Sequence, residues 1–299
     1  MRNRLSKPGM RGTQLPSNAA ESARGISIIV FLLAVIVLQS FVIFRLLAVR
    51  TKVQPAQRRQ AARTAPQPVP VPVCKGKIAI VIDDLGYNLS NLERIKRLPC
   101  PVTVSVLPNL AYSARVASEL RSAGMEVILH LPMEPWEKVG LEKDTLMTGM
   151  SRHRVSEIIG RSSASVGGLS GVSNHMGSRA TENPGLMNSV LCELKRRGLY
   201  FLDSYVSSHS VCASQAQKCG VVFYRRDVFI DNSLNPDYIK KQIGKLKAAA
   251  LRRGQAIGIG HDRRATVEVL AEVMPQLQRE GYRFTVVSGL KPERSRADN

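Results

Sequence analysis

Asp83 and Asp84 stand side by side at the end of an unbroken apolar run, Ile78 to Ile82, and a turn glycine, Gly86, follows them. Similar punctuation recurs along the chain. EVILH ends in His130 and runs into LPMEP, which carries Glu134. LSGVSN leads to His175 within NHMGSR, the stretch that also holds Asn174 and Arg179. LYFLDS contains Asp203, RRDVFIDN carries Asp227 and Asp231, and AIGIGH ends in His261. Two imidazoles and a carboxylate are a common zinc ligand set with one position left open for water. A second carboxylate and a third imidazole beside such a set supply the pair needed for proton transfer. Taken singly, each residue has a plainer reading. A strand-end Asp often caps the next helix, so Asp203 reads equally as a cap or a loop anchor. Prolines at 132 and 135 hold the loop around Glu134, and Asp227 and Asp231 can pair with Arg225 or Arg226. His153 starts a polar helix and His209 lies in a loop, outside the repeating pattern.

The elements that must position these groups are readable from periodicity. Strands are expected at 77–83, 102–107, 126–130, 170–174, 199–203, 221–231, 255–260 and 283–287, with helices at 88–97, 111–123, 153–166, 184–197, 235–251 and 264–280. In the last helix Val267, Leu270, Met274 and Leu277 recur at helical spacing among polar neighbours. Apolar strands alternating with amphipathic helices indicate right-handed βαβ units and a parallel sheet. In such folds ligands bind at the carboxyl ends of the strands, which is where the candidate residues fall. Along a strand successive side chains alternate, so Asp83 and Asp84 are expected to point different ways. A phosphate-accepting receiver domain also has a two-Asp strand end, but it needs an Asp after its third strand, where this chain has His130.

Taken together, IVIDDLG, HLPMEP, NHMGSR, FLDS, RRDVFIDN and GIGH, in that order, resemble the divergent polysaccharide deacetylase family over about residues 76–290. That family is an outlying branch of the carbohydrate esterases that remove acetyl groups from glycans. The resemblance implies an α/β fold, an irregular (β/α) barrel of about seven parallel strands. It implies a divalent metal, most simply zinc, and an acetylated glycan as substrate. It casts Asp83 as general base, Asp84 and His130 as metal ligands and His261 as general acid. Ordinary polysaccharide deacetylases place a second metal histidine four residues after the first; here that position is Glu134, and His175 is the natural substitute. Glu134, Asn174, Arg179, Asp203 and Asp231 are the remaining candidates for support of the site.

The chain has 299 residues and a formal charge of +20. About half of that excess lies before residue 66, where Glu21 is the single acid. There is no aromatic interleaving of the bases and no binding motif, so nucleic acid is not an expected partner. Gly25 to Phe44 is a stretch of 20 uncharged residues, enough to cross a bilayer core as a helix. No small-x-small cleavage site follows it, which favours an uncleaved anchor over a signal peptide. Residues 1–24 are then a cytoplasmic basic N-terminus and 25–47 a single transmembrane anchor in the inner membrane. Residues 48–75 form a linker with alternate prolines from Pro66 to Pro72, an extended spacer. Residues 76–290 make a periplasmic deacetylase-like domain, and 291–299 a disordered tail. Cys212 and Cys219 share a polar segment, read as a loop, and are either a small disulfide or two free thiols. Trp136, the one tryptophan, reads equally as a lining of a subsite and as core.

Overall fold

The computed structural model describes residues 31–48 and 74–293. The expected basic N-terminus, most of the linker and the end of the tail lie outside the described residues. The apolar segment and the domain are separate compact units. In the first, helix α1 (Phe31–Ala48) is long and apolar enough to cross a membrane; its 18 residues rise about 27 Å, close to the ~30 Å of a hydrocarbon core.

The domain runs β1 (Gly76–Leu85), α2 (Leu92–Lys96), β2 (Thr103–Val106), α3 (Ser113–Ser122), β3 (Glu126–Met133), α4 (Arg152–Val166), β4 (Gly171–Met176), α5 (Pro184–Arg197), β5 (Tyr200–Asp203), α6 (Cys212–Cys219), β6 (Phe223–Arg225), β7 (Val228–Phe229), α7 (Pro236–Arg253), β8 (Gln255–His261), α8 (Arg264–Arg279) and β9 (Tyr282–Phe284). Local chemistry sets several helix ends. Asn183 accepts the Leu186 amide with Pro184 next to it, and Gly198 ends α5 at φ 70°. Asn235, Pro236 and Gly254 frame α7 in the same way.

All strand pairs are parallel, in the order β6-β5-β4-β3-β2-β1-β8-β7, and β9 pairs with the start of β1. The single strand expected at 221–231 is two. β6 follows β5 at one edge of the sheet, and β7 follows β8 at the other. Only residues 226 and 227 link them: the Arg226 amide donates to Asp203 O and the Asp227 amide to Ile257 O. The sheet therefore curls until its two edges are two residues apart, an irregular barrel with a seam. At the amino-terminal mouth the chain end crosses this seam. Lys291 exchanges hydrogen bonds with the Gln255 side chain, and the Glu293 amide donates to Phe223 O. Residues 291–293 are thus pinned, whereas the expected tail began at 291.

Two apolar layers follow from strand alternation. Ile78, Ile80, Ile82, Val104, Val106, Leu129, Leu131, Val172 and Phe201 face the helices. Ala79, Val81, Ile128, Leu202, Ile257 and Ile259 fill the barrel interior. The segment holding Cys212 and Cys219 is a helix, α6, rather than a loop. Its ends are about 10 Å apart along the axis, beyond disulfide reach. Cys219 is instead bonded to Cys192 of α5, and Cys212 is a buried free thiol.

Candidate metal centre and its proton-transfer partners

Strand parity decides which polar residues meet. On β1 the interior positions are Ala79, Val81 and hence Asp83; on β3 they are Ile128 and His130. By the same alternation Ser105, Ser173, His175 and His261 face the interior from β2, β4 and β8. Asp203 shares parity with Phe201, on the helix-facing side. Asp84 has the wrong parity as well, yet it is in the cluster. The β1–β2 register slips between Ile82 and Leu85, and Asp84 adopts φ 62°. This bulge turns its carboxylate inward, so the two aspartates do not diverge: His130 Nε2 lies 3.2 Å from Asp84 Oδ1 and 3.7 Å from Asp83 Oδ2. A left-handed non-glycine residue costs about 1–2 kcal/mol, strain of the kind that collects at functional sites.

His175 Nδ1 is 3.0 Å from the same Asp84 oxygen. The two imidazoles meet edge to face at 5.0 Å. Asp84, His130 and His175 each offer a ligand atom within 4.8 Å of the others. Asp84 Oδ1 is buried and has no hydrogen bond, although it touches both rings; Asp83 Oδ1 and His175 Nε2 are also buried without partners. Tetrahedral ligands at zinc bond lengths of 2.0–2.1 Å lie about 3.3 Å apart, near the 3.2 and 3.0 Å from Asp84 Oδ1 to the two imidazoles. The donor set and its unsatisfied atoms fit a divalent cation. Burial would push the Asp84 carboxyl up, but the two imidazoles beside it overcome this and hold it well below its ordinary value. Asp83 goes the other way: burial raises it, against the pull of His130 and with the push of Asp84.

Behind the cluster, His130 Nδ1 sits 2.8 Å from Ser173 Oγ, which is 2.7 Å from Ser105 Oγ. These serines are fully buried, and the Ser105 hydroxyl also acts on Asp83. They are residues that motif reading missed. The available signal is a serine set between apolar residues in each of two short strands, VSV in β2 and GVS at the start of β4.

On the neighbouring strand β8, His261 is the register partner of Asp83. Its Nδ1 lies 2.8 Å from Asp231 Oδ1, while Asp231 Oδ2 accepts from the His261 amide and Thr266 Oγ1. Burial disfavours the imidazolium, but the Asp231 hydrogen bond and the charges of Asp231, Asp84 and Asp83 together outweigh it and raise the His261 pKa. Phe229 stacks on the ring at 5.9 Å, and the Arg226 guanidinium lies 3.7 Å over Phe229.

The other candidates stand outside the ligand set. Glu134 is buried with both oxygens used: Oε2 accepts from the Thr148 amide and hydroxyl, and Oε1 accepts from Arg179. Asn174 donates to Met176 O and accepts the Ser204 amide, fastening β4 to the loop after β5. The tight turn that follows needs Gly177, since a Cβ there would lie 2.9 Å from Met133 Cβ at φ 92°. Asp203 accepts from Ser210 Oγ and the Tyr205 amide, as a loop anchor does. A cavity of about 580 Å³ lies near the strand starts, lined by Lys77, Arg225, Asp227, Arg253 and Gln255 among others, and holds neither the Asp84, His130 and His175 cluster nor Asp83 or His261.

Comparison with known proteins agrees in extent with this domain. The uncharacterized protein YibQ of Escherichia coli (strain K12) is 38% identical over 223 residues, covering 75% of this chain and 70% of that protein. An uncharacterized protein of Haemophilus influenzae (strain ATCC 51907 / DSM 11121 / KW20 / Rd) is 35% identical over 196 residues, 66% of this chain and 70% of its own. The crystal structure of the uncharacterized protein ATU2773 from Agrobacterium tumefaciens C58 superposes with a TM-score of 0.69 at 25% identity, covering 71% of this chain and 88% of that one. The sequence pattern described as "Divergent polysaccharide deacetylase" matches residues 80–290. The domain that carries the Asp84, His130 and His175 cluster is therefore the family's own domain, and the chain belongs to the divergent polysaccharide deacetylase family.

Proposed function

We propose that the chain is a membrane-anchored, metal-dependent hydrolase that removes acetyl groups from an envelope glycan. The observation that carries this reading is the meeting of Asp84, His130 and His175 at one point, with Asp83 and the His261–Asp231 pair beside it. The chemistry of the donor set favours zinc, which when bound polarises an acetyl carbonyl and lowers the pKa of a water toward about 7. Asp83, raised by burial, takes the proton of the attacking water. His261 has Nδ1 engaged by Asp231, which leaves Nε2 to protonate the departing amine or alkoxide. Water and the acetylated sugar become acetate and the free amine or alcohol. Asn174, Glu134, Arg179 and Asp203 hold the loops that carry these groups and take no part in proton transfer.

The same proposal includes the layout: residues 1–24 cytoplasmic, 25–47 a single inner-membrane anchor, 48–75 a spacer, and the domain from 76 to 290 in the periplasm. The apolar helix α1 and the Cys192–Cys219 disulfide support it, because disulfides persist in oxidising compartments. The test uses the purified full-length protein in detergent. It should carry one zinc per chain by elemental analysis and release acetate from acetylated glycan oligomers, and Asp83→Asn should keep the zinc and lose the acetate. A second reading is a non-catalytic module that binds glycan or a partner protein. Glu134 favours it, since it stands in the place of the usual second histidine and its oxygens are taken up by Thr148 and Arg179. A metal-loaded protein that releases no acetate from any acetylated glycan would leave only that reading.

A further inference from the structure

Trp136 is the chain's single tryptophan, and it is 59% exposed on the loop that follows β3. A large exposed aromatic is ordinarily mobile, but this one is held from several sides. Its amide donates to Ser178 Oγ at 2.9 Å, and its indole Nε1 donates to Glu182 Oε2 at 3.2 Å. The Arg179 guanidinium lies 5.0 Å over the ring and is itself fixed by Glu134. Glu182 is anchored in turn by Ser207 Oγ at 2.5 Å. Residues from the loops after β4 and β5 thus fix an indole whose polar atom is already satisfied and one of whose faces is covered. What remains open is flat apolar surface. The loop continues past exposed Val139 and Leu141 to Glu142, which accepts from the hydroxyl of Tyr87. Tyr87 is 49% exposed and stands three residues after Asp84. The loop from Trp136 to Glu142 therefore carries one ordered aromatic at its start and holds a second, Tyr87, at its end.

We propose that Trp136 is a stacking platform for a sugar ring of the glycan chain, with Tyr87 a second contact at the far end of the same loop. A pyranose has an apolar C–H face for the indole and hydroxyls at its edge for Arg179, Glu182 and Ser178. Because the ring is pre-ordered, little side-chain freedom is lost when a ligand covers it. The glycan as substrate class rests on the hydrolase reading above; the platform itself rests on the exposure and fixation of the indole.

Since Trp136 is the one tryptophan, its emission reports this surface directly. The experiment titrates chitohexaose, and in parallel an acetylated xylan oligomer, into the full-length Asp83→Asn protein in detergent. It also measures acetate release by wild type, Trp136→Ala and Trp136→Phe. A saturable emission change is expected with one oligomer. Trp136→Ala should raise KM about tenfold and change kcat less than about twofold, with most of the KM restored by phenylalanine. Emission unmoved by both oligomers, or acetate release by Trp136→Ala at the wild-type KM, overturns the platform and leaves the hydrolase standing. A saturable emission change with no acetate from wild type keeps the platform and removes the hydrolase reading.

Discussion

Ser173→Ala is the sharpest probe of how the barrel interior holds the cluster of Asp84, His130 and His175. Ser173 Oγ makes both inner contacts of the chain from His130: 2.8 Å to Nδ1 and 2.7 Å to Ser105 Oγ. The three residues are 3% exposed or less, so no water replaces the lost oxygen without opening the core. When Nε2 ligates zinc it carries no hydrogen, so Nδ1 carries it and Ser173 accepts it. Ser173→Ala therefore strands an N–H and frees the ring to rotate or change tautomer. Two neutral hydrogen bonds at about 1 kcal/mol each amount to about 2 kcal/mol, or roughly 30-fold in zinc affinity. That falls within the 10–100-fold range for residues that orient metal ligands. The assay is competition for zinc against a chromophoric chelator, with the melting temperature of the metal-free protein measured alongside. Ser162 is an internal control: it is fully buried in α4 and its hydroxyl has no partner, so Ser162→Ala should leave affinity unchanged. A folded Ser173→Ala protein that binds zinc within twofold of wild type would refute this account of His130.

Three further outcomes are expected. His175→Ala should abolish stoichiometric zinc binding, whereas Glu134→Gln and Asp203→Asn should keep it, as elemental analysis will show; zinc lost in Glu134→Gln would place that carboxylate in the ligand set. Peptide mapping without reduction should recover Cys192 linked to Cys219 with Cys212 free. Their separation of 27 residues corresponds to about 3.5 kcal/mol of loop-closure stabilisation, so Cys192→Ser should lower Tm by several degrees, and an unchanged Tm would count against the pairing. Burial pushes the Glu193 carboxyl up, but Arg196 and Arg197 more than reverse this and hold it below its ordinary value. The depressed pKa belongs to the folded state, so the stability it adds is present above the ordinary Glu value and lost as pH falls through the folded one. The Tm gap between wild type and Glu193→Gln should therefore narrow between about pH 6 and pH 3, and a constant gap would contradict it.

Much of this molecule is legible in one dimension. The alternation of apolar runs and amphipathic helices determines a parallel α/β sheet, because strands buried on both faces and helices buried on one leave different hydrophobic periods. Polar residues after the apolar runs mark the candidate rim for the same reason: the interior of the run admits no charge, so a charge appears where the run stops. The sequence also placed Asp203 and Glu134 on that rim, and there one-dimensional reading reached its limit. Which face of a strand looks into the barrel depends on what packs against it, and that set Asp203 apart from His130 although both follow an apolar run; β3 continues three residues past His130 to Met133. Asp84 enters the cluster only through a bulge with a left-handed backbone, a feature stabilised by the neighbouring strands rather than by Asp84 itself. The split of 221–231 between two sheet edges and the pairing of Cys219 with Cys192 arise from the closure of the sheet, which brings together residues that no local spacing connects.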